Sequence, residues 1–270
     1  MAYSLDSRFD IAAGATPTVV GTFDKFEMHA NPQFHNGYTV KTADGCIYKY
    51  AQFGADVAAG RLVAQDTSES SAALNAITVI VPASAADTTD GTIGSYHIQG
   101  TIASIAKDQY QGGKLLTIDN AGQGYTYDIL GNDATDSTAT GDIRITLAQP
   151  LQVALTATSD VLVVGNMYSN LEIATAATDI ALAGVTCAAV DYSEAAWGWV
   201  QTWGPVACLQ DGVVAIGDVC TLSDGTDGAY QVGGGGGSLV ADFVAESIVG
   251  YQLITGATDG EGALFLQLDR

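Results

Sequence analysis

Cys46-Ile47-Tyr48-Lys49-Tyr50-Ala51-Gln52-Phe53-Gly54-Ala55-Asp56-Val57-Ala58-Ala59-Gly60-Arg61-Leu62-Val63 and, far downstream, Ala196-Trp197-Gly198-Trp199-Val200-Gln201-Thr202-Trp203-Gly204-Pro205-Val206-Ala207 are written in the same style. Each is an aromatic-studded run that ends in a glycine turn. Aromatic and β-branched residues fit a pleated, half-buried surface, and glycine supplies the turn. Neither string holds a nucleophile, a ligand cluster or a phosphate loop. Both read as strands of a scaffold shaped to fit against something.

The same pattern extends in both directions. Ala76-Ile77-Thr78-Val79-Ile80-Val81 is a short apolar strand stopped by Pro82, preceded by a single helical turn over Ser70–Asn75. Tyr96–Ile105 alternates. Lys114–Asp119 and Tyr125–Leu130 flank Asn120-Ala121-Gly122-Gln123-Gly124 as a hairpin with a longer loop. Ile143–Leu147 has period two, and Ala196–Val206, Gly212–Leu222, Ala229–Val232, Ser247–Ile254 and Ala263–Leu268 follow as further strands. Turn signals at short spacing without a long helix predict an all-β chain of β-barrel or sandwich type.

Three segments share one form: Val57–Val63, Leu162–Tyr168 and Val214–Cys220. Each has a small apolar lead, a glycine, a polar residue and a mostly apolar pair. The form predicts a turn or bulge in which glycine takes positive φ between two strands. It divides the chain into an extended N-terminal arm (1–45), a β-barrel-like core domain (46–66 plus 185–270) and an inserted β-rich domain (67–184). The arm is broken at Ala13–Pro17 and at Asn31-Pro32-Gln33. Phe23, Phe26, Phe34 and Tyr38 have no obvious local partner there, so the arm is expected to order against a neighbouring molecule.

Composition narrows the function. With 47% hydrophobic and 14% charged residues in 270, the chain is long and apolar enough to bury a core. Nine basic and 30 acidic residues give a net charge of −21, which repels nucleic acid and disfavours an anionic membrane surface. Met1–Asp10 has no apolar region of the secretory type, and no run approaches the ~18 apolar residues of a membrane helix, so folding in a cytoplasm is expected. Cys46, Cys187, Cys208 and Cys220 are far apart and form no CxxC; they are expected as buried, reduced thiols.

Candidate chemistry is thin. His29 and His35, near Asp24 and Glu27, straddle Pro32 without a third ligand in register, and read as solvent-facing arm histidines. His97 reads as structural. There is no GxSxG elbow. The run Gly233–Gly237 lacks the Lys-Ser or Lys-Thr that completes a phosphate loop. Asp224–Gly228 and Asp259–Gly262 are β-turns first and incomplete Ca²⁺ loops second. Trp197, Trp199 and Trp203 fall within seven residues, with Trp197 and Trp199 on one strand face. Such a cluster serves as a sugar platform or as the anchor of a core or interface; without companion polar sugar ligands, core or interface is the preferred reading. No catalytic, cofactor or metal residue is assigned. The interface candidates are Phe23, Phe26, Phe34, Tyr38, Trp197, Trp199 and Trp203.

Taken together, Tyr48-Lys49-Tyr50 with Gly54, Ala59-Gly60 and Leu62-Val63 resembles the opening strand-turn motif of the small β-rich decoration (cement) proteins of tailed-bacteriophage capsids. Trp197–Gln201, Gly204-Pro205-Val206, Gly217-Asp218, Gly225–Ala229 and Val249-Gly250-Tyr251 resemble their closing half, and Ala263–Leu268 their terminal strand. About 100 of the 270 residues carry the likeness; residues 67–184 do not. The resemblance implies a non-enzymatic virion protein, made in a host cytoplasm, that binds the major capsid protein on the capsid exterior as a trimer or other small cyclic oligomer, without nucleic acid, membrane or cofactor. The alternatives are another virion part, such as a tail, baseplate or shell component, or a β-rich carbohydrate-binding module. A shell component of the usual type needs a long spine helix, which the sequence does not suggest.

Overall fold

The computed structural model describes residues 23–65, 76–79, 90–103, 105–134, 140–175, 182–233, 248–256 and 260–269. All regular structure among them is β. The helical turn expected at Ser70–Asn75 and most of the glycine run, 234–237, lie outside these residues.

The two aromatic strings are neighbouring strands. β2 (Ile47–Gln52) runs antiparallel to β12 (Trp197–Leu209) and pairs Tyr48 with Gln201 and Tyr50 with Trp199. The register shifts between Gln201 and Trp203, so Thr202 is the extra residue of a bulge. Gly204 follows at φ +99°, and a Cβ there would lie 2.8 Å from the Cys46 Sγ. Only glycine lets β12 turn so close to the start of β2.

Around β12 grows a ten-stranded antiparallel sheet. On one side come β11 (Leu182–Thr186), β3 (Leu62–Gln65) and β10 (Leu171–Ile173); on the other come β16 (Glu261–Gln267), β15 (Ile248–Ile254), β13 (Val219–Leu222) and β14 (Tyr230–Val232). β1 (Thr39–Lys41) pairs with β2. The sheet curls until Tyr230 of β14 bridges Gln210, just beyond β12, and the amide of Asp211 donates to the Tyr230 carbonyl at 2.8 Å. Inside the curl Cys208, Cys220, Leu222, Val249, Leu264 and Leu266 make one apolar cluster. A polar knot sits beside it: the Gln210 Oε1 accepts from Gln252 Nε2 at 2.9 Å and from the Tyr230 hydroxyl at 3.2 Å. Buried amides are tolerated because they satisfy one another.

Between β3 and β10 the chain makes a second, closed barrel of six strands: β4 (Ala76–Val79), β5 (His97–Ala103), β8 (Thr140–Leu147), β7 (Thr126–Asn132), β6 (Lys114–Asp119) and β9 (Asp160–Val164), with β9 returning to β4. Period-two alternation sends Leu115, Tyr127, Ile129, Ile143, Ile145, Val161 and Val163 inward. Closure leaves no free sheet edge. Asp90, fully buried, holds the partly exposed Arg144 guanidinium at 2.9 Å and ties the loop before β5 to β8.

Several sequence expectations meet a different arrangement. β10 falls within 67–184 and β11 straddles its end, yet both pair with β3 in the ten-stranded sheet, because apolar Leu171, Leu182 and Val185 complete the clusters beside β3 and β12. Of Gly212–Leu222 only Val219–Leu222 is strand; the rest is a turn region held by Asp218, whose Oδ2 accepts the Ala215 amide at 3.0 Å. In the shared segment form, Gly60 and Gly217 have φ of +70° and +89°, each just before a strand. Gly165 is not among the positive-φ residues; it sits tight against the Gln65 side chain, with 2.9 Å from Nε2 to where a Cβ would stand.

Candidate interaction surface

The described part of the arm, residues 23–45, packs on its own chain. His29 and Trp197 exchange backbone hydrogen bonds at 2.8 and 3.1 Å, and Met28 lies on Gly198 so closely that any Cβ there would strike its sulfur. Phe23 meets Trp199 edge-on at 4.9 Å and Phe34 stacks on Tyr38 at 4.8 Å. Phe34 also meets Tyr50 at 5.2 Å, and Tyr50 meets Trp199 at 5.1 Å. Trp199 is thereby 4% exposed and Tyr50 fully buried. Phe23, Phe34 and Tyr38 were expected to order against another molecule, and Trp199 to anchor a core or an interface; in the structure they are one intramolecular aromatic cluster, with Trp197 packed against it. The physical reason is the sheet: β2 and β12 bring Tyr48, Tyr50 and Trp199 onto one face, and the arm rings cover it. Phe26 differs, being 61% exposed with Lys25 over its ring.

A second aromatic group faces outward from the curled part of the sheet. Along β16 Leu264 and Leu266 point to the core, so Ala263, Phe265 and Gln267 point away from it. Direct pairing sets Pro205, Phe265, Tyr251 and Val219 in one row across four strands. The Tyr251 and Phe265 rings are stacked at 5.1 Å, and Trp203 stands edge-on to Phe265 at 5.7 Å. The next row is Ala207, Ala263 and Ile254, the last 65% exposed. In the turn before β13, Val213 and Ile216 are both about seven-tenths exposed. Thus Trp203 lies on an outward face, whereas Trp199 is core.

Other groups are committed to structure. His29 is half-buried with its ring 5.8 Å from Tyr50, and His35 stands edge-on to Tyr38. Among the described residues, no three His, Cys, Asp or Glu side chains are grouped to hold a metal. Burial pushes the Cys187 and Cys220 thiols up to about 12 and raises Cys46 and Cys208 as well, which keeps them in the poorly nucleophilic protonated form. In the Asp224–Gly228 turn, Ser223 Oγ donates to Asp211 and accepts the amides of Gly225 and Thr226. Asp259 lies outside the described residues. A shallow recess of about 290 Å³ is lined by Asp56 and Asp191 with Val57 and Val190. Both carboxylates there already serve turns: Asp56 accepts from the Tyr192 amide, and Asp191 from the amide and hydroxyl of Ser193.

Sequence reasoning passed over Tyr251, Phe265, Pro205 and Val219 as surface. The signal was present in Ala263-Leu264-Phe265-Leu266-Gln267, where two leucines on one face force the aromatic ring onto the other. No protein-family model, no curated protein and no solved structure matches the chain.

Proposed function

We propose that the chain is a virion structural protein that binds and stabilises the outer surface of a bacteriophage capsid. The observation that supports this reading is the pairing of the two strings, β2 lying antiparallel along the first half of β12. The residues of the resemblance, distant in sequence, lie on β2, β3, β12, β15 and β16 and in the turns that precede β3, β13 and β14, all parts of one curled sheet. A likeness spread over unrelated parts of a fold would carry no such weight.

Electrostatics supports the outer face. A chain of net charge −21 placed inside a filled shell meets packaged phosphate at short range, and like charges repel there. The carbohydrate reading loses Trp199 from its platform, because Phe23, Phe34 and Tyr38 pack against that ring. The test is co-sedimentation of the purified protein with filled, undecorated shells, beside a glycan-binding screen. Saturable binding at a fixed ratio to the shell subunit is expected. A glycan hit with no shell binding overturns the proposal in favour of the carbohydrate module.

A further inference from the structure

We infer that the outward face formed by Trp203, Pro205, Phe265, Tyr251, Val219 and Ile254 is where a second copy of this chain docks. The rows that make this face contain no Asp, Glu, Lys or Arg. The chain as a whole carries 30 acidic residues against 9 basic ones. Two copies therefore repel across most orientations, and the repulsion is least where carboxylates are missing or neutralised. Among the described residues, the two carboxylates at the ends of β16 are paired with cations: Glu261 with Arg61 at 2.8 Å and Asp269 with Lys49 at 3.1 Å. A basic partner finds its attraction elsewhere on the molecule, among the unpaired acids. A second acidic copy finds it here.

Size and composition fit. Four strands at ~4.8 Å spacing and five to seven residues at ~3.4 Å rise give a patch of about 15 by 20 Å. That is the apolar centre of an ordinary interface of roughly 800 Å² per partner, whose rim comes from surrounding residues. Stacked aromatics and a tryptophan at such a centre are the residue types that dominate association energy. The Tyr251–Phe265 stack is already ordered within one chain, so docking immobilises little that is free.

The experiment uses the full chain without any capsid, so it is independent of the capsid proposal. Light scattering after size exclusion, across micromolar concentrations, is expected to give a mass two or three times the 27.7 kDa of the chain. Phe265→Asp is expected to give a monomer with an unchanged β-type spectrum. Val219→Glu and Ile254→Glu alter sites 39% and 65% exposed and keep the test intact should Phe265→Asp fail to fold. Ile118→Asp, on the closed barrel and 49% exposed, is expected to leave the oligomer unchanged. A wild-type monomer, or an oligomer insensitive to both glutamate variants, overturns the inference. A wild-type monomer whose Val219→Glu variant no longer binds shells assigns the face to the capsid and overturns it equally.

Discussion

The ring of Tyr251 lies parallel to that of Phe265, with 5.1 Å between centroids and 5° between planes, on directly paired positions of β15 and β16. The stack is on the outside of the sheet, so core burial alone does not account for it. Its own coupling is measurable. Tyr251→Ala, Phe265→Ala and the double variant, compared by urea unfolding under conditions where the chain is one species, are expected to show an interaction of about 0.5–1.5 kcal/mol. Strict additivity means the rings merely sit side by side.

Trp199 is the keystone of the inward aromatic cluster. Trp199→Ala should lower stability by about 3–5 kcal/mol, since it opens a cavity among Phe23, Phe34 and Tyr50 that the rigid sheet cannot close. Phe26→Ala, at an exposed ring, should fall within about 0.5 kcal/mol of wild type. Equal effects of the two changes contradict the assignment of inward and outward rings.

A chain beginning at Lys41 is expected to be less stable than the intact one. Truncation removes Phe23, Phe34 and Tyr38 from Trp199 and Tyr50, and strips most of β1 from β2. With about 1.5 kcal/mol or more per half-buried ring, a loss of several kcal/mol follows. Red-shifted tryptophan emission and a lower unfolding midpoint are the expected readouts; an unshifted spectrum with an unchanged midpoint contradicts the packing.

Acid sensitivity has a local source. The Lys114 ammonium and then the Gln149 amide donate to Asp128 and hold its carboxyl below the usual carboxylate range. A depressed folded value stabilises the fold above the unfolded value of about 4, and the contribution is lost as pH falls through the folded value. Asp128→Asn should therefore flatten the fall of unfolding midpoint between pH 5 and 2, relative to wild type. A parallel fall in both proteins contradicts this source. Protonation of the other acids relieves repulsion and acts in the opposite sense in both, so the difference between them is the readout.

The strand content could be read from period two and turn residues, because those signals are local. Lys114–Asp119 and Tyr125–Leu130 pair as expected around a loop in which Gly122 and Gly124 take φ of +86°. What lay beyond local reading was pairing across distance. Nothing in Leu171-Glu172-Ile173 says that it lies beside Val63–Gln65 and not in the closed barrel. Lone aromatics in a Pro-broken arm look partnerless only when the strands opposite them are unknown; Phe23 and Phe34 are half-buried against the cluster that adjacent β2 and β12 create. Trp203 turned outward, away from Trp199, because the extra residue Thr202 shifts the register between them.

The central claim is attachment to the outside of an assembled shell. The most direct measurement is a reconstruction of filled particles that carry the protein, combined with limited proteolysis of the same particles. The account predicts density for the curled sheet and the closed barrel on the outer surface of the lattice, and cleavage of the protein while the shell stays intact. Density on the inner wall, with complete protection until the shell is opened, would contradict it.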